Sequence, residues 1–446
     1  MPAVLSGSAA GDSGNRHHLP ILGPYPAHTR GFSEHSGGNE MAAKTVVRGG
    51  TLIDGTGAAP VSDGVVVIEN GRIAAVGARA DFGESGFDGA EVIDVRGKTI
   101  MPGLINCHQH LDNRHGYGSY QTRAAQPLPY LVARAARNAL LDLQEGVTTI
   151  RDVASRFGTN LHVKKAIEDG MIVGPRVVAC GQPIAMTGGH GWELCIEADG
   201  EDAVRHAARQ LLKSGADLIK CMASGGFISI GVDQPWSPQL TAAEMRAAFD
   251  EAHNAGKPTT VHAHPPAAIQ RAVEAGVDCI EHGALIDEAS AELLAQKGIP
   301  LVPTLGESYV IAHRGEEFGR PAWLAELCRK KLEDRSRHFG YAIAAGVKMA
   351  VGTDVIGTMA EEIRLMVEGG LRPMDVLVAA TRNGAEVCAL LDQTGTLEPG
   401  KWADAIVLAG NPLEDLGALE HVELVFKEGV LYRPEALAAA TGKHPL

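Results

Sequence analysis

Short apolar runs separated by glycine-containing turns mark both ends of the chain. Such runs, bounded by Gly and Asn-Gly turns, are typical of β-strands joined by tight connections. The predicted strands are 45–54, 64–71, 72–77, 403–410 and 422–429. We therefore predict one small β-sandwich built from both ends of the chain, its first part over 44–98 and its second part, with a C-terminal tail, over 393–446.

Between 99 and 392 the pattern changes to helical stretches that alternate with short apolar strands. The helical patterns are 129–145, 202–214, 242–255, 266–275, 289–297 and 328–345. The strand-like runs that follow them are 147–152, 216–220, 258–262, 277–282, 299–303 and 347–354. Repeated units of this length favour a parallel α/β architecture.

Polar residues fall at or just past the C-terminal ends of these predicted strands. In a (β/α)8 TIM barrel that end is the catalytic face, which several strands reach at once. A doubly wound open sheet would bring fewer strands to one site, and no GxGxxG follows a first strand. We therefore predict the α/β class, with a TIM barrel over 99–392.

Residues 1–43 are rich in Gly, Ser, His and Pro and show no apolar period. This composition predicts a disordered N-terminal extension. A mis-assigned start is the alternative, since Met41 could itself initiate translation.

Composition and net charge indicate which kinds of binding partner and which compartment to expect. The 446 residues are 45% hydrophobic and 21% charged, as in an ordinary globular protein. The net charge of −14 argues against nucleic acid and anionic membranes as partners. No run approaches the roughly 18 apolar residues of a membrane span, and no export signal is visible. The seven cysteines lack paired spacing, so we expect reduced thiols and a cytoplasmic protein.

The triplet His108-Gln-His110 is the first candidate for metal chemistry. Two histidines at i and i+2 on a strand point the same way and can together hold a divalent cation. An isolated triplet of this kind is more often incidental than a ligand pair. Further metal-competent groups lie at later strand ends, and these are Lys220, His262 with His264, His282 and Asp354.

Lys220 follows the apolar residues of its predicted strand. For most lysines the stem packs and the amine reaches solvent. At a barrel's catalytic end, burial and neighbouring cations would lower the lysine pKa. A neutral amine can take up carbon dioxide, and the resulting carbamate can bridge two metal ions.

Three further residues are candidates for substrate binding. His264 shares a face with His262, and spacing alone does not choose which of the two ligates a metal. His190 lies in the glycine-rich loop 187–191, where a solvent-facing histidine is about equally expected. Tyr309 could donate to a substrate oxygen, although a packed tyrosine is the more common case.

Taken together these motifs resemble the amidohydrolase superfamily. The likeness covers about 45–433 and rests on 102–110, 218–220, 261–262, 280–282 and 352–354, with 395–404 leading back to the small domain. The segments 187–190, 223–226, 261–264 and 380–385 resemble one branch of that superfamily. The branch contains metal-dependent dipeptidases, ochratoxin-type amidases and hydrolases of phenylurea or thiocarbamate herbicides.

The resemblance implies two divalent ions, usually zinc, bridged by a carboxylated Lys220. It assigns His108, His110 and Asp354 to one ion and His262 and His282 to the other. It also implies a homo-oligomer, as relatives are often dimers to octamers. Asp354 would act as general base and then general acid.

The leading hypothesis is an amidohydrolase that cleaves a dipeptide or an N-acyl amino acid, a small-molecule substrate, by metal-activated hydroxide. The same chemistry could act on a carbamate, urea or thiocarbamate xenobiotic. A third reading, from another class, is a metal-free barrel that serves in binding or assembly. That reading needs ligand positions to be lost, whereas all six are present.

Overall fold

The computed structural model describes residues 44–83, 87–116, 125–227 and 233–441. The predicted extension over 1–43 and the last residues of the predicted tail lie outside the described residues. All seven cysteines are described, and each is a buried free thiol. Among the described helices, none is long and apolar enough to cross a membrane.

The described strands and helices follow one another along the chain as the alternation of sequence patterns predicts. The strands are β1 (Lys44–Leu52), β2 (Val61–Glu69), β3 (Arg72–Ala78), β4 (Glu91–Asp94), β5 (Thr99–Pro102), β6 (Leu104–Gln109), β7 (Val147–Asp152), β8 (Arg176–Ala179), β9 (Ile184–Ala185), β10 (Ile196–Glu197), β11 (Ile219–Met222), β12 (Thr259–Ala263), β13 (Cys279–His282), β14 (Leu301–Val302), β15 (Ala405–Leu408), β16 (Val422–Lys427) and β17 (Val430–Tyr432). The helices are α1 (Leu128–Gln144), α2 (Thr159–Glu168), α3 (Glu201–Lys213), α4 (Ala242–Asn254), α5 (Pro266–Ala275), α6 (Glu288–Lys297), α7 (Leu305–Arg314), α8 (Ala322–Ala344), α9 (Met359–Glu368), α10 (Pro373–Val378), α11 (Gly384–Val387) and α12 (Pro434–Thr441).

A small β domain takes strands from both ends of the chain, as predicted. Its strands form one continuous sheet in the order β17-β16-β15-β5-β1-β2-β3, with β4 paired to β1. Val66 and Ile73 from the first part share an apolar cluster with Val407 and Phe426 from the second. The sheet therefore encloses a core of its own. β5 belongs to this sheet, because it pairs with β1 and β15.

The barrel is built from parallel strands. One sheet has the order β6-β7-β8 and another the order β9-β11-β12-β13-β14, with β10 beside β9. The Asp217 amide donates to the Ala179 carbonyl at 2.8 Å, which joins the end of β8 to the chain just before β11. Parallel bridges from Leu301 to Met349 and from Gln109 to Asp354 place 349–354 between β14 and β6, where it closes the ring. The prediction of a TIM barrel with a small β domain is confirmed.

Local sequence explains how the helices cover this barrel. On α3 the buried residues Val204, Ala207, Ala208 and Leu211 lie at i, i+3, i+4 and i+7, so one apolar face packs inward. α4 begins with a capping box, in which the side chain of Thr241 accepts from the Glu244 amide and that of Glu244 accepts in return. Such helices hold the strand ends in place beneath the candidate site.

Candidate metal centre

His108, His110 and Asp354 form a tight cluster at the C-terminal end of the barrel. Nε2 of His110 lies 3.2 Å from Nε2 of His108 and 3.1 Å from Oδ1 of Asp354. One potential ligand atom from each residue lies within 4.8 Å of the others. Two imidazole nitrogens and a carboxylate oxygen suit zinc and related transition metals. The donor set therefore fits one divalent cation.

The barrel's closure brings these residues together. The Asp354 amide donates to the His108 carbonyl at 2.8 Å, where 349–354 meets β6. Asp354, His282 and Thr304 all have positive φ, of 61°, 72° and 46°. Non-glycine residues adopt this region at a strain of about 1–3 kcal/mol, so the surrounding fold must hold them there. Such strained strand ends cluster at functional sites.

Hydrogen bonds fix the rings of His108, on β6, and of His110, just past its end. Nδ1 of His108 bonds Oε2 of Glu281 at 2.8 Å, and Nδ1 of His110 donates to the Ala154 carbonyl at 2.9 Å. Each ring is thereby left with Nε2 directed at the cluster. A carboxylate or carbonyl behind the ring is the usual support for a histidine that ligates a metal.

Lys220, His262 and His282 line the same pocket as this cluster. The ring centroids of His262 and His282 are 4.5 Å apart, and Nδ1 of His282 lies 3.8 Å from Oδ2 of Asp354. Lys220 is only 2% exposed. It is the second residue of β11, whereas the sequence pattern placed it at the strand's end. Two imidazoles and a buried lysine amine thus stand beside the first cluster.

Burial decides the charge of most of these groups. It lowers the pKa of His108 to about 4 against the opposing charge of Asp354. Burial, reinforced by neighbouring imidazoles, also holds the pKa of His262 and His282 well below the ordinary value. Neutral imidazoles are the form that binds metals. Burial and Arg151 lower the pKa of Lys220, which favours the neutral amine.

The pair of His110 and Asp354 behaves differently. Burial lowers the pKa of His110, but the hydrogen bond and charge of Asp354 outweigh it and raise that pKa to about 9. The reverse holds for Asp354. Burial would raise its pKa, but His108 and His110 keep that pKa below its usual range. Since ligands bind metals in their deprotonated form, a cation at this pair replaces the proton that His110 otherwise carries.

Two of the three predicted substrate contacts face the pocket. His190 stacks on His262 with ring centroids 4.2 Å apart and bonds Asp233 at 2.5 Å. His264 is buried, and within the described part of the chain its Nδ1 has no hydrogen-bond partner. Tyr309 instead packs against His313 on α7, with centroids 4.3 Å apart. It is not among the described residues that line the pocket.

The pocket encloses about 920 Å³ of space between protein atoms, a figure that includes its opening to solvent. All the predicted site residues except Tyr309 line it, and so do several that the sequence did not reveal. Glu307 and Lys331 contribute ionisable groups from α7 and α8. Burial and the charge of Asp354 raise the pKa of Glu307 to about 8.

A buried ion-pair network behind His108 also escaped prediction. Oε1 of Glu281 pairs with the Arg151 guanidinium at 2.6 Å and accepts from the Thr260 hydroxyl. Both ionic groups are almost fully buried. The available signal was a carboxylate in the apolar run 277–282, since a buried Glu requires a partner.

The chain is similar to known proteins over most of its length. The model of the amidohydrolase family matches residues 99–432. Ochratoxinase of Aspergillus niger is 34% identical over 429 residues, which cover 88% of each chain. A prolidase solved in complex with N-methylphosphonate-L-proline is 34% identical with a TM-score of 0.80, covering 87% of this chain and 99% of its own. A Xaa-Pro dipeptidase with methionine bound in the active site is 32% identical with a TM-score of 0.79, covering 87% of this chain and 100% of its own.

Proposed function

The chain belongs to the amidohydrolase family and is a hydrolase of carbon–nitrogen bonds, and on this premise we propose that it cleaves the amide bond of a dipeptide or an N-acyl amino acid with two divalent cations. The observation that carries the proposal is a single pocket that gathers His108, His110, Lys220, His262, His282 and Asp354. The names of the similar proteins support an amide or peptide bond as the target.

In this proposal His108, His110 and Asp354 would hold one cation, and His262 and His282 would hold the other. Lys220, carboxylated on its amine, would supply a ligand to both. Zinc suits a site rich in imidazole. The lowered pKa of Lys220 supports the assignment, because only a neutral amine combines with carbon dioxide. When bound, the cations supply activation of water and polarisation of the scissile carbonyl.

Asp354 moves the proton. Its carboxylate lies 3.1 Å from Nε2 of His110 and is kept ionised by His108 and His110, so it is available as an acceptor. It takes a proton from the attacking water and delivers it to the departing amine, as general base and then general acid. The positive φ and the hydrogen bond from the Asp354 amide to the His108 carbonyl fix the backbone, so the carboxylate needs little reorganisation between the two steps.

His190 and His264 are proposed to contact the substrate. His264 is the stronger candidate, because it lines the pocket and its buried Nδ1 has no partner in the described structure. A substrate oxygen that accepts from this ring would satisfy the buried polar group. His190 has its Nδ1 engaged by Asp233 and presents its ring to His262.

A substrate screen tests the proposed function. Protein loaded with zinc is incubated with dipeptides, N-acyl amino acids, and a panel of carbamates, ureas and thiocarbamates, and mass spectrometry detects the products. We expect release of free amino acids from the first two groups. Turnover of the carbamates, ureas or thiocarbamates alone would show that the substrates are xenobiotics and not peptide-like compounds. No turnover of any compound by zinc-loaded protein would contradict the proposal.

A further inference from the structure

A second recess adjoins the pocket of the metal centre. It has an empty volume of about 410 Å³ and shares His282, Ser308 and Lys331 with the main pocket. These three residues line both cavities, and we call the place where the cavities adjoin the passage. The remaining walls of the recess are mostly apolar, and these apolar residues are Ala284, Ile286, Leu301, Pro303, Leu305 and Phe339.

Lys331 brings a positive charge to this passage. It lies on α8 with Leu324 and Cys328, and the spacing of four and three residues places all three on the helix face that lines the main pocket. Its ammonium lies 4.3 Å from the centroid of the Phe227 ring. Its charge is also felt at His264, where it reinforces burial in lowering the pKa of that ring.

We propose that Lys331 binds the free carboxylate of the substrate's C-terminal residue and that the adjoining recess binds the apolar side chain of the same residue. This inference rests on the proposed amide hydrolysis and names its substrate class. In a dipeptide or N-acyl amino acid, the carbon next to the scissile nitrogen carries both the carboxylate and the side chain. His282 belongs to both cavities, so a substrate held at the metal centre places that carbon at the passage.

The charges and walls around the passage agree with such a substrate. An ammonium group pairs well with a carboxylate, and charge-assisted hydrogen bonds are stronger than neutral ones. Glu307, the other ionisable residue that α7 and α8 contribute to the lining of the main pocket, does not line the recess. An apolar side chain in the recess would meet mainly apolar walls, among them Ile286 and Phe339.

Matched substrates test the role of Lys331. N-acetyl-L-leucine and glycyl-L-leucine are compared with their C-terminal carboxamides, using zinc-loaded enzyme. We expect KM for the acids to be about 10- to 100-fold lower than for the carboxamides, as is usual for a hydrogen bond to a charged group. Lys331→Met should remove this difference by raising KM for the acids, with kcat within a few-fold, and Lys331→Arg should restore part of it.

Lys330→Met is the matched control, because Lys330 is the neighbouring exposed lysine on the same helix. It should leave the ratio of KM values unchanged. Thermal unfolding and metal content establish that each variant is folded and loaded. A Lys331→Met enzyme that keeps the wild-type preference for acids over carboxamides would overturn the inference.

Binding of the product separates this inference from the proposed function. Calorimetry compares L-leucine with L-leucinamide on zinc-loaded wild type and Lys331→Met. Preference for leucine that disappears in the variant supports the carboxylate site even if no amide is hydrolysed, in which case the proposed function fails alone. If amides are hydrolysed but neither assay depends on Lys331, the inference about Lys331 fails and the proposed function stands.

The recess is tested by filling it. Ala284 is half-buried and lines the recess but not the main pocket. We expect wild type to prefer N-acetyl-L-leucine over N-acetylglycine by about 10-fold or more in kcat/KM, since even one methylene in an apolar pocket changes specificity by that order. Ala284→Phe should abolish the preference and retain activity on N-acetylglycine. An unchanged preference, or an equal loss on both substrates, would exclude the recess as the side-chain site.

Discussion

Asp354 is constrained in both its backbone and its side chain. Its φ of 61° lies in the left-handed region, where Asp and Asn are the non-glycine residues found most readily. The sequence predicted its place at a strand end from Gly352-Thr-Asp354. The backbone conformation could not be predicted, because it arises where 349–354 closes against β6.

Asp354→Asn is the substitution that changes charge and leaves this geometry in place. Asn accepts the same backbone conformation, but it can neither take up a proton nor offer an anionic ligand. We expect kcat to fall by about 100-fold or more, the usual contribution of a general acid or base, while the protein folds and retains metal in part. Steady-state kinetics and metal analysis measure the two effects. Asp392→Asn, at an exposed aspartate, is the control, and near-normal turnover by Asp354→Asn would exclude the proposed role.

Glu281 shows why some essential contacts escape prediction. The sequence places it in a strand beside His282 but does not reveal that its carboxylate touches His108 and Arg151. These partners come from other strands, and Arg151 is 130 residues away in the sequence. The barrel alone brings the three groups together.

Glu281→Gln tests this network. Removing one charge leaves the Arg151 guanidinium buried without its counter-ion, which typically lowers stability by about 3–5 kcal/mol. Loss of the carboxylate behind His108 should also weaken metal binding by about 10- to 100-fold. Denaturant unfolding and competitive metal titration measure these quantities. The double variant Glu281→Gln with Arg151→Met should recover stability without recovering metal affinity. Full metal affinity in Glu281→Gln alone would contradict the role of Glu281 in supporting His108.

Element boundaries were predictable where apolar period and caps agree. The limits of α5 and β7 are those that the sequence pattern indicates. α8 begins at Ala322, six residues before the predicted start, although Pro321 ahead of it is a recognisable start signal. Segment 347–354 was predicted as a strand, but it pairs with β14 and β6 through isolated bridges, and the chain enters the left-handed region at Asp354. α7 follows a left-handed Thr304, which no local signal announces.

Gly352 shows how closely the last barrel segment must approach β6. A Cβ at this position would lie 2.5 Å from Cβ of His108 and 2.6 Å from Cγ1 of Val302. We expect Gly352→Ala to move 349–354 away from His108 and to reduce both stability, by about 1–3 kcal/mol, and metal content. Gly340→Ala on α8 meets nothing within 4 Å and should be neutral or stabilising, since Ala is the better helix former. Equal unfolding midpoints for the two variants would contradict this account.

Considered as a whole, the fold and the residues of the site were more predictable than their connections. Histidines, a lysine and an aspartate at successive strand ends were enough to predict that they share one pocket. The ion pair that links the barrel to the small domain could not be predicted. In it the Arg176 guanidinium pairs at 2.7 Å with Asp404, which lies 228 residues later in the sequence. The cytoplasmic location and the homo-oligomer stay predictions.

Metal removal distinguishes the proposed enzyme from a metal-free binding protein with the same fold. Chelation should abolish turnover and lower the thermal midpoint, because a cation that binds only the folded state stabilises it by about 4 kcal/mol at a thousandfold excess over Kd. Zinc should restore both properties. Magnesium should not, since it prefers oxygen ligands and the site offers mainly imidazole.

Lys220→Met adds a structural control to this experiment. The variant keeps His108, His110 and Asp354 as a complete set for one cation but lacks the amine that is proposed to bridge to the second. We therefore expect the zinc content to fall from about two equivalents to about one or less, which metal analysis measures. A binding role would be supported instead by two results together: wild-type protein contains no transition metal after zinc-replete expression, and zinc does not change its thermal midpoint. Six converging donors that never hold a cation have no catalytic use in this pocket.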